Sequence, residues 1–222
     1  MRRHDLATFQ PNAQVQVHCV EKAQETQAIV HEWINAGLPL VVTRQSKGVE
    51  TIATGLTLPP SRGSRRIGCH LHVADILQIR PPALLVDCTA NIPELLAQRL
   101  RALSDSLKAM DVDARVYGSL SWQAVSGLSY VHSGSDIDLV CEVSAPDQLP
   151  KLIQLLKTEA QKLDRCLDGE IRFPDGSAVA WLELANVSGD PAAELLIKSN
   201  ADIRMARVSE IESFFREKPD AC

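Results

Sequence analysis

The chain has 222 residues, 45% of them hydrophobic and 23% charged, with mean hydropathy near zero. That balance excludes wholesale disorder, collagen-like repeats and coiled coil, and leaves one large or two small globular domains. Basic residues number 23 and acidic residues 28, a formal charge of −5; a surface that coats nucleic acid needs a basic excess, so no nucleic-acid partner is expected, although a local basic pocket is allowed.

In chain order, Gln14–His18 alternates as a short strand does. Residues 22–36 place Ala23, Ala28, Ile29, Trp33 and Ile34 at helical spacing, and Gly37 with Pro39 stops that helix. Leu40–Thr43 reads as a short buried strand. From Gly55 to Gly68 the chain is rich in Gly, Pro, Ser and Arg, which predicts loops and turns, with a strand returning over Ile67–Val73. Arg80-Pro81-Pro82 closes the region. This is a small α/β unit with a basic loop of Arg62, Arg65 and Arg66, which serves either as a solvated face or as an anion contact.

The second part opens on a helix over residues 93–110, with Leu95, Leu96, Leu100, Leu103 and Leu107 as its apolar set. A strand follows at Arg115–Tyr117, then a short helix over Leu120–Val125 and a second amphipathic helix over Pro150–Leu163. Leu167–Phe173 and Ala178–Leu184 flank an Asp-Gly turn and predict a hairpin. Glu194–Ser199 and Ile203–Met205 predict another, and a last helix starts near Ser209. The order is that of an α+β domain on one small sheet. The expected division is 1–87 and 88–222.

No apolar stretch approaches a membrane span, and Met1–Asp5 is not followed by the apolar segment of a signal peptide, so a cytoplasmic chain without membrane contact is expected. Cys19, Cys69, Cys88, Cys141, Cys166 and Cys222 are scattered singly, as reduced thiols are. His70 and His72 share one strand face with no Cys or carboxylate beside them on it, which disfavours zinc.

The chemistry concentrates in Val116-Tyr117-Gly118-Ser119-Leu120-Ser121-Trp122-Gln123 and Gly134-Ser135-Asp136-Ile137-Asp138-Leu139-Val140. In a strand, Asp136 and Asp138 project to one face, about 7 Å apart along it, while Ile137, Leu139 and Cys141 face the core. Paired carboxylates repel one another unless a cation lies between them. Magnesium takes one or two carboxylates and completes its shell with water and substrate phosphate, so the pair suits a metal-bound phosphorylated substrate. Gly118 and Ser119 end one strand and open a helix, where bare backbone N–H groups and a hydroxyl can cradle phosphate. A third carboxylate is expected from the next hairpin. Glu170 is favoured, then Asp168; Glu183, at the end of the following strand, is the remaining candidate.

The G-S followed by D-x-D resembles the signature of the polymerase β type nucleotidyltransferase superfamily, with Ser119 and Asp136 further apart than usual. A polymerase β-like catalytic domain behind a small α/β N-terminal domain is thus implied. A closer resemblance covers nearly the whole chain. It rests on Arg3-His4-Asp5-Leu6, Pro39–Val42, Gly55–Pro59, the Trp122-Gln123 after G-S, and Asp168-Gly169-Glu170 through Ala178–Trp181. On these residues the chain is similar to the phosphoribosyl-dephospho-CoA transferase (holo-acyl-carrier-protein synthase) family of malonate decarboxylase systems.

The resemblance implies transfer of a prosthetic group from triphosphoribosyl-dephospho-CoA to a serine of the malonate decarboxylase acyl-carrier subunit, with release of pyrophosphate. It implies Asp136 and Asp138 as holders of Mg2+ (two ions), with Glu170 or Asp168 completing the site or acting as base. Gly118 and Ser119 would hold the donor's phosphates. Lys198, Arg65 and Arg66, with Arg3 and Arg44, are further candidates for the anionic donor or an acidic carrier face. The competing readings are an enzyme that passes AMP to a small molecule or protein, and a non-catalytic nucleotide-binding module.

Overall fold

A computed structural model describes residues 1–18, 22–46, 50–187 and 189–216. It divides into two compact units, residues 1–82 with 125–130, and residues 83–124 with 131–222. The segment after Pro82 goes with the second unit because its own contacts lie there: Leu84 bridges Arg115, and Leu85 and Cys88 enter that unit's core.

The first unit is built on an open six-stranded sheet, antiparallel throughout, of β1 (Leu6–Phe9), β2 (Val15–Val17), β3 (Leu40–Val42), β4 (Thr51–Thr57), β5 (Arg66–His72) and β6 (Ile76–Arg80). Its order is β2-β5-β4-β3-β1-β6. One helix, α1 (Ala23–Asn35), buries Thr26, Val30, Trp33 and Ile34, and Gly37 ends it at φ 73°. The loop expected from Gly55 to Gly68 is confined to residues 58–65, because Gly55 and Gly68 pair inside the β4–β5 ladder. Glycine there reflects crowding: a Cβ on Gly68 would lie 3.0 Å from the His18 ring. The Arg3-His4-Asp5-Leu6 motif also has a structural meaning. Asp5 is buried, accepts from the Arg2 N–H at 2.7 Å, and launches β1 through backbone bonds between the 4–5 segment and Val42.

The second unit carries a mixed six-stranded sheet, in the order β12-β11-β10-β9-β8-β7. Its strands are β7 (Asp113–Tyr117), β8 (Ile137–Glu142), β9 (Leu167–Arg172), β10 (Ala178–Ala180), β11 (Glu194–Lys198) and β12 (Ile203–Arg207). Only β8 and β9 run parallel, and α4 (Gln148–Lys162) connects them. The long helix α2 (Glu94–Lys108) inserts Leu96, Leu100, Leu103 and Leu107 into the core; Leu95, expected on that face, points to solvent at 64% exposure. Leu152, Ile153 and Leu156 of α4 join the same core with Ile137, Leu139 and Cys141. This is the α+β arrangement expected of a nucleotidyltransferase-like domain: helices cover one sheet face, and the other carries most of the strands' charged residues.

The two hairpins form where the turn residues placed them. Asp175 Oδ1 accepts from both the N–H and the hydroxyl of Ser177, and β11 pairs with β12 across Asn200–Asp202. The second arm of the first hairpin is shorter than expected. It stops at Ala180 and becomes α5 (Trp181–Val187), which buries Trp181, Leu184 and Ala185. The last helix is a 3-10 segment, Val208–Phe215, anchored by Ile211 and Phe214. Cys69, Cys88 and Cys141 are buried free thiols and Cys166 is an exposed one; Cys19 and Cys222 lie outside the described residues. Among the described residues, no helix is long and apolar enough to cross a membrane.

Candidate active site

The site forms where β7 ends and the parallel pair begins. Tyr117 stands opposite Asp138, Asp138 beside Asp168, and Val140 beside Glu170. Laterally paired residues of a sheet share a face, so this register puts Asp136, Asp138, Asp168 and Glu170 on the side away from the helices. The apolar alternates Ile137, Leu139, Leu167 and Ile171 lie in the core.

Two glycines make this geometry possible. Gly118 opens α3 (Gly118–Ser126) at φ 65°, and a Cβ there would fall 1.9 Å from Asp138 Oδ2. The Asp138 carboxylate therefore occupies the place a side chain would take. Gly169 has φ 140°, and a Cβ there would meet the Leu139 carbonyl oxygen at 2.0 Å. That glycine lets β9 approach β8 closely enough to bring Asp168 alongside Asp138.

The carboxylates differ in their surroundings. Asp136 and Asp168 are exposed and Asp138 is half-buried. Asp168 Oδ1 accepts from the Gly169 N–H at 2.7 Å. The Cys166 thiol is pushed up by loss of hydration and then by the negative charges of Asp136, Asp168 and Asp138. Glu170 is 4% exposed and accepts from Lys198 Nζ at 2.9 Å. Two residues selected separately from the sequence are thus partners of one another. Glu183 sits on α5, not at a strand end, and its carboxylate accepts from the Leu196 N–H at 3.0 Å, closing the ladder where β10 has stopped. By position, Asp168 is the carboxylate beside the pair; Glu170 lies deeper, and Glu183 supports β11.

Carboxylate oxygens are hard donors. Among the described residues, no group of three His, Cys, Asp or Glu side chains is close enough to hold a metal unaided. Such a donor set fits magnesium completed by water and substrate phosphate, and does not fit an ion that needs a full protein cage.

The turn expected to cradle phosphate has the local form of a strand end that opens a helix. β7 ends at Tyr117, Gly118 turns the chain, and Ser119 lies half-buried in the first turn of α3. Trp122 and Gln123 build the scaffold behind it. Trp122 is buried, while Gln123 donates to the Asn91 carbonyl at 2.6 Å and accepts from the Val131 N–H at 2.9 Å. In the first unit, Arg65 donates to Thr26 Oγ1 at 2.7 Å and Arg62 pairs with Glu32 at 3.2 Å. Arg66 and Arg44 are exposed, and the Arg3 guanidinium lies 3.2 Å from His4 Nε2. His70 packs on His18 with ring centroids 4.7 Å apart, an imidazole pair without a third ligand group among the described residues. Sequence reasoning passed over Arg165, whose guanidinium reaches the carbonyls just ahead of Asp136; it follows a helix end, and nothing in its spacing signals a role.

Known proteins show the same two-part division. Residues 2–82 match the phosphoribosyl-dephospho-CoA transferase MdcG N-terminal domain, and residues 83–209 match the C-terminal domain of that family. A phosphoribosyl-dephospho-CoA transferase of Xanthomonas euvesicatoria pv. vesicatoria is 36% identical over 205 residues, 91% of this chain and 92% of the relative. One from Xanthomonas axonopodis pv. citri is 35% identical over the same shares. One from Bradyrhizobium diazoefficiens is 31% identical over 89% of this chain and 86% of its own. No solved structure matches the chain.

Proposed function

The chain belongs to the phosphoribosyl-dephospho-CoA transferase family, and from that premise we propose that it moves the phosphoribosyl-dephospho-CoA group of a triphosphate donor onto a serine of the malonate decarboxylase acyl-carrier subunit, with pyrophosphate as leaving group. The observation that carries this reading is the Asp138 carboxylate seated on the bare Cα of Gly118 with Asp168 beside it. Carboxylates and a helix start meet there on one sheet face, as phosphoryl-transfer chemistry needs.

In this reading the serine hydroxyl attacks the phosphorus nearest the ribose. The bond from that phosphorus to the bridging oxygen breaks, and pyrophosphate departs with the electron pair. The serine proton passes to Asp168, which is exposed beside Asp138; Glu170, held by Lys198, ranks second for this role. When bound, magnesium, expected as two ions, would be held by Asp136 and Asp138 and would neutralise charge on the phosphates and on the ionising hydroxyl. Gly118 and Ser119 orient the donor by offering backbone N–H groups and a hydroxyl to its outer phosphates. Lys198 acts through Glu170, keeping a buried carboxylate compensated below the reacting groups. Arg66 and Arg44 are exposed first-unit cations that can meet an acidic carrier face.

The test combines the protein with apo carrier subunit, Mg2+ and triphosphoribosyl-dephospho-CoA. The expected result is a mass increase on the carrier matched by pyrophosphate release. Labelling by ATP instead would assign AMP transfer, and binding of donor with no transfer by wild-type protein would assign a binding module.

A further inference from the structure

Resting on the reading of Asp136, Asp138 and Asp168 as the transfer site, we infer that Arg165 is a positioning residue of that site. It clamps the two chain segments that enter the parallel β8–β9 pair and so sets Asp136 against Asp168.

A parallel pair lacks the tight turn that fixes the register of a hairpin, and a slip of one residue would send each aspartate to the opposite face. Here the ladder opens with the Ile137 N–H donating to the Cys166 carbonyl at 2.9 Å. One residue earlier, Arg165 donates through one guanidinium nitrogen to the His132 carbonyl at 3.1 Å and reaches the Ser135 carbonyl at 3.5 Å. Residues 132–135 already form a closed turn. The Ser135 N–H donates to the His132 carbonyl at 3.0 Å, the His132 N–H to Ser135 Oγ at 3.0 Å, and the Gly134 N–H to His132 Nδ1 at 3.1 Å. Arg165 adds the tie from this preformed turn to the start of β9. Asp136 follows the turn directly, and Asp168 lies three residues beyond the arginine.

The guanidinium is not placed to receive a phosphate. Its side chain is 8% exposed, and its Nε lies 3.5 Å from the Asp164 carboxylate. Both contacts come from one terminal nitrogen of a planar, rigid guanidinium, which holds its direction better than a lysine ammonium on a flexible stem. Arg165 therefore acts on the carboxylates through the backbone, without touching substrate.

The test uses the full chain with Arg165→Ala and Arg165→Lys, and Asp138→Asn as reference. Mn2+ binding is read by electron paramagnetic resonance without donor, followed by transfer kinetics and amide exchange at Ile137. Since small misplacements of reacting groups cost about 100-fold, Arg165→Ala is expected to lower kcat by about that factor and weaken Mn2+ binding about tenfold, with the donor KM within about twofold of wild type. Ile137 should exchange faster, and added guanidine should restore part of both the metal affinity and the kcat. Arg165→Lys should recover only part of the loss. A folded Arg165→Ala with unchanged Mn2+ affinity and kcat overturns the inference, as does a rise in donor KM alone, which would make Arg165 a phosphate contact. Full recovery by lysine overturns it too, since charge would then suffice. If alanine abolishes folding, Arg165→Lys and Arg165→Gln carry the same comparison. Equal Mn2+ binding by wild type and Asp138→Asn would overturn the carboxylate-site reading itself, and that result is visible before any Arg165 variant is made.

Discussion

Both units rest on six-stranded sheets, yet they use their charged residues in opposite ways. In the first, every strand pair is antiparallel, and two arginines of the basic loop are engaged within the unit: Arg62 with Glu32 and Arg65 with Thr26. In the second, one parallel pair interrupts an otherwise antiparallel sheet, and the aspartates gather where its two strands begin. A hairpin end is closed by its turn. The start of a parallel pair is open, because the crossover helix leaves from the far end of one strand and returns to the near end of the next. The difference shows why carboxylates can stand together at that place while the loop arginines are held within their own unit.

The sharpest way to break this contrast is to neutralise one side chain on each side of it. Asp138→Asn is expected to lower carrier modification by about a thousandfold or more, with the melting transition retained, whereas Arg65→Ala should change kcat/KM by less than about threefold and remove about 1 kcal/mol of stability through its lost hydrogen bond. Comparable losses of turnover in the two variants would place the anion-handling machinery in both units. Next come the glycines. Gly169→Ala must push its new methyl against the Leu139 backbone and is expected to cost about 3 kcal/mol or more, measured by denaturant unfolding. Gly118→Ala meets the movable end of Asp138, so turnover should fall nearly as far as in Asp138→Asn while stability drops by only about 1–2 kcal/mol.

A further variant probes the deeper part of the sheet. Lys198→Met removes an ammonium from Glu170, which is 4% exposed, and is expected to destabilise the chain by about 3 kcal/mol. Lys198→Met with Glu170→Gln should recover part of that. If Lys198→Met instead raised the donor KM with stability unchanged, Lys198 would be a phosphate contact.

The smallest effect belongs to the first unit. Burial, and then the neighbouring His18, lower the pKa of His70 below its ordinary 6.5. The folded state thus favours neutral imidazole, and the unfolded chain binds more protons as the pH falls through that value. This contribution to stability is complete above pH 6.5 and is lost on acidification towards the lowered folded pKa. A His70→Gln variant should show a flatter dependence of melting temperature on pH between about 5 and 7.

Much of this was legible in the chain itself. Helical spacing of leucines located α2 and α4, Asp-Gly marked the first hairpin, and alternation put Asp136 and Asp138 on one face. Three things were hidden for identifiable reasons. β1 and β6 are short, and the outward residues of β6 break the apolar pattern, with Leu77 61% exposed. The β4–β5 ladder runs through paired glycines that read as turns. The order of the third carboxylates depends on register across strands: Asp168 falls beside Asp138 only because β9 runs parallel to β8, and Glu170 falls where Lys198 of β11 can reach it. Sequence spacing cannot reveal a partner 28 residues away.

The β8–α4–β9 crossover also makes the candidate site depend on a contact between strands far apart in sequence. Hairpins such as β11–β12 join residues close in sequence, whereas β8 and β9 pair across the whole of α4 and carry the larger loop-closure cost. Asp138 and Asp168 stand side by side only once that non-local pair has formed. In the proposed reading, a chain that lacks β9 keeps Asp136 and Asp138 without Asp168, and so lacks part of the transfer site.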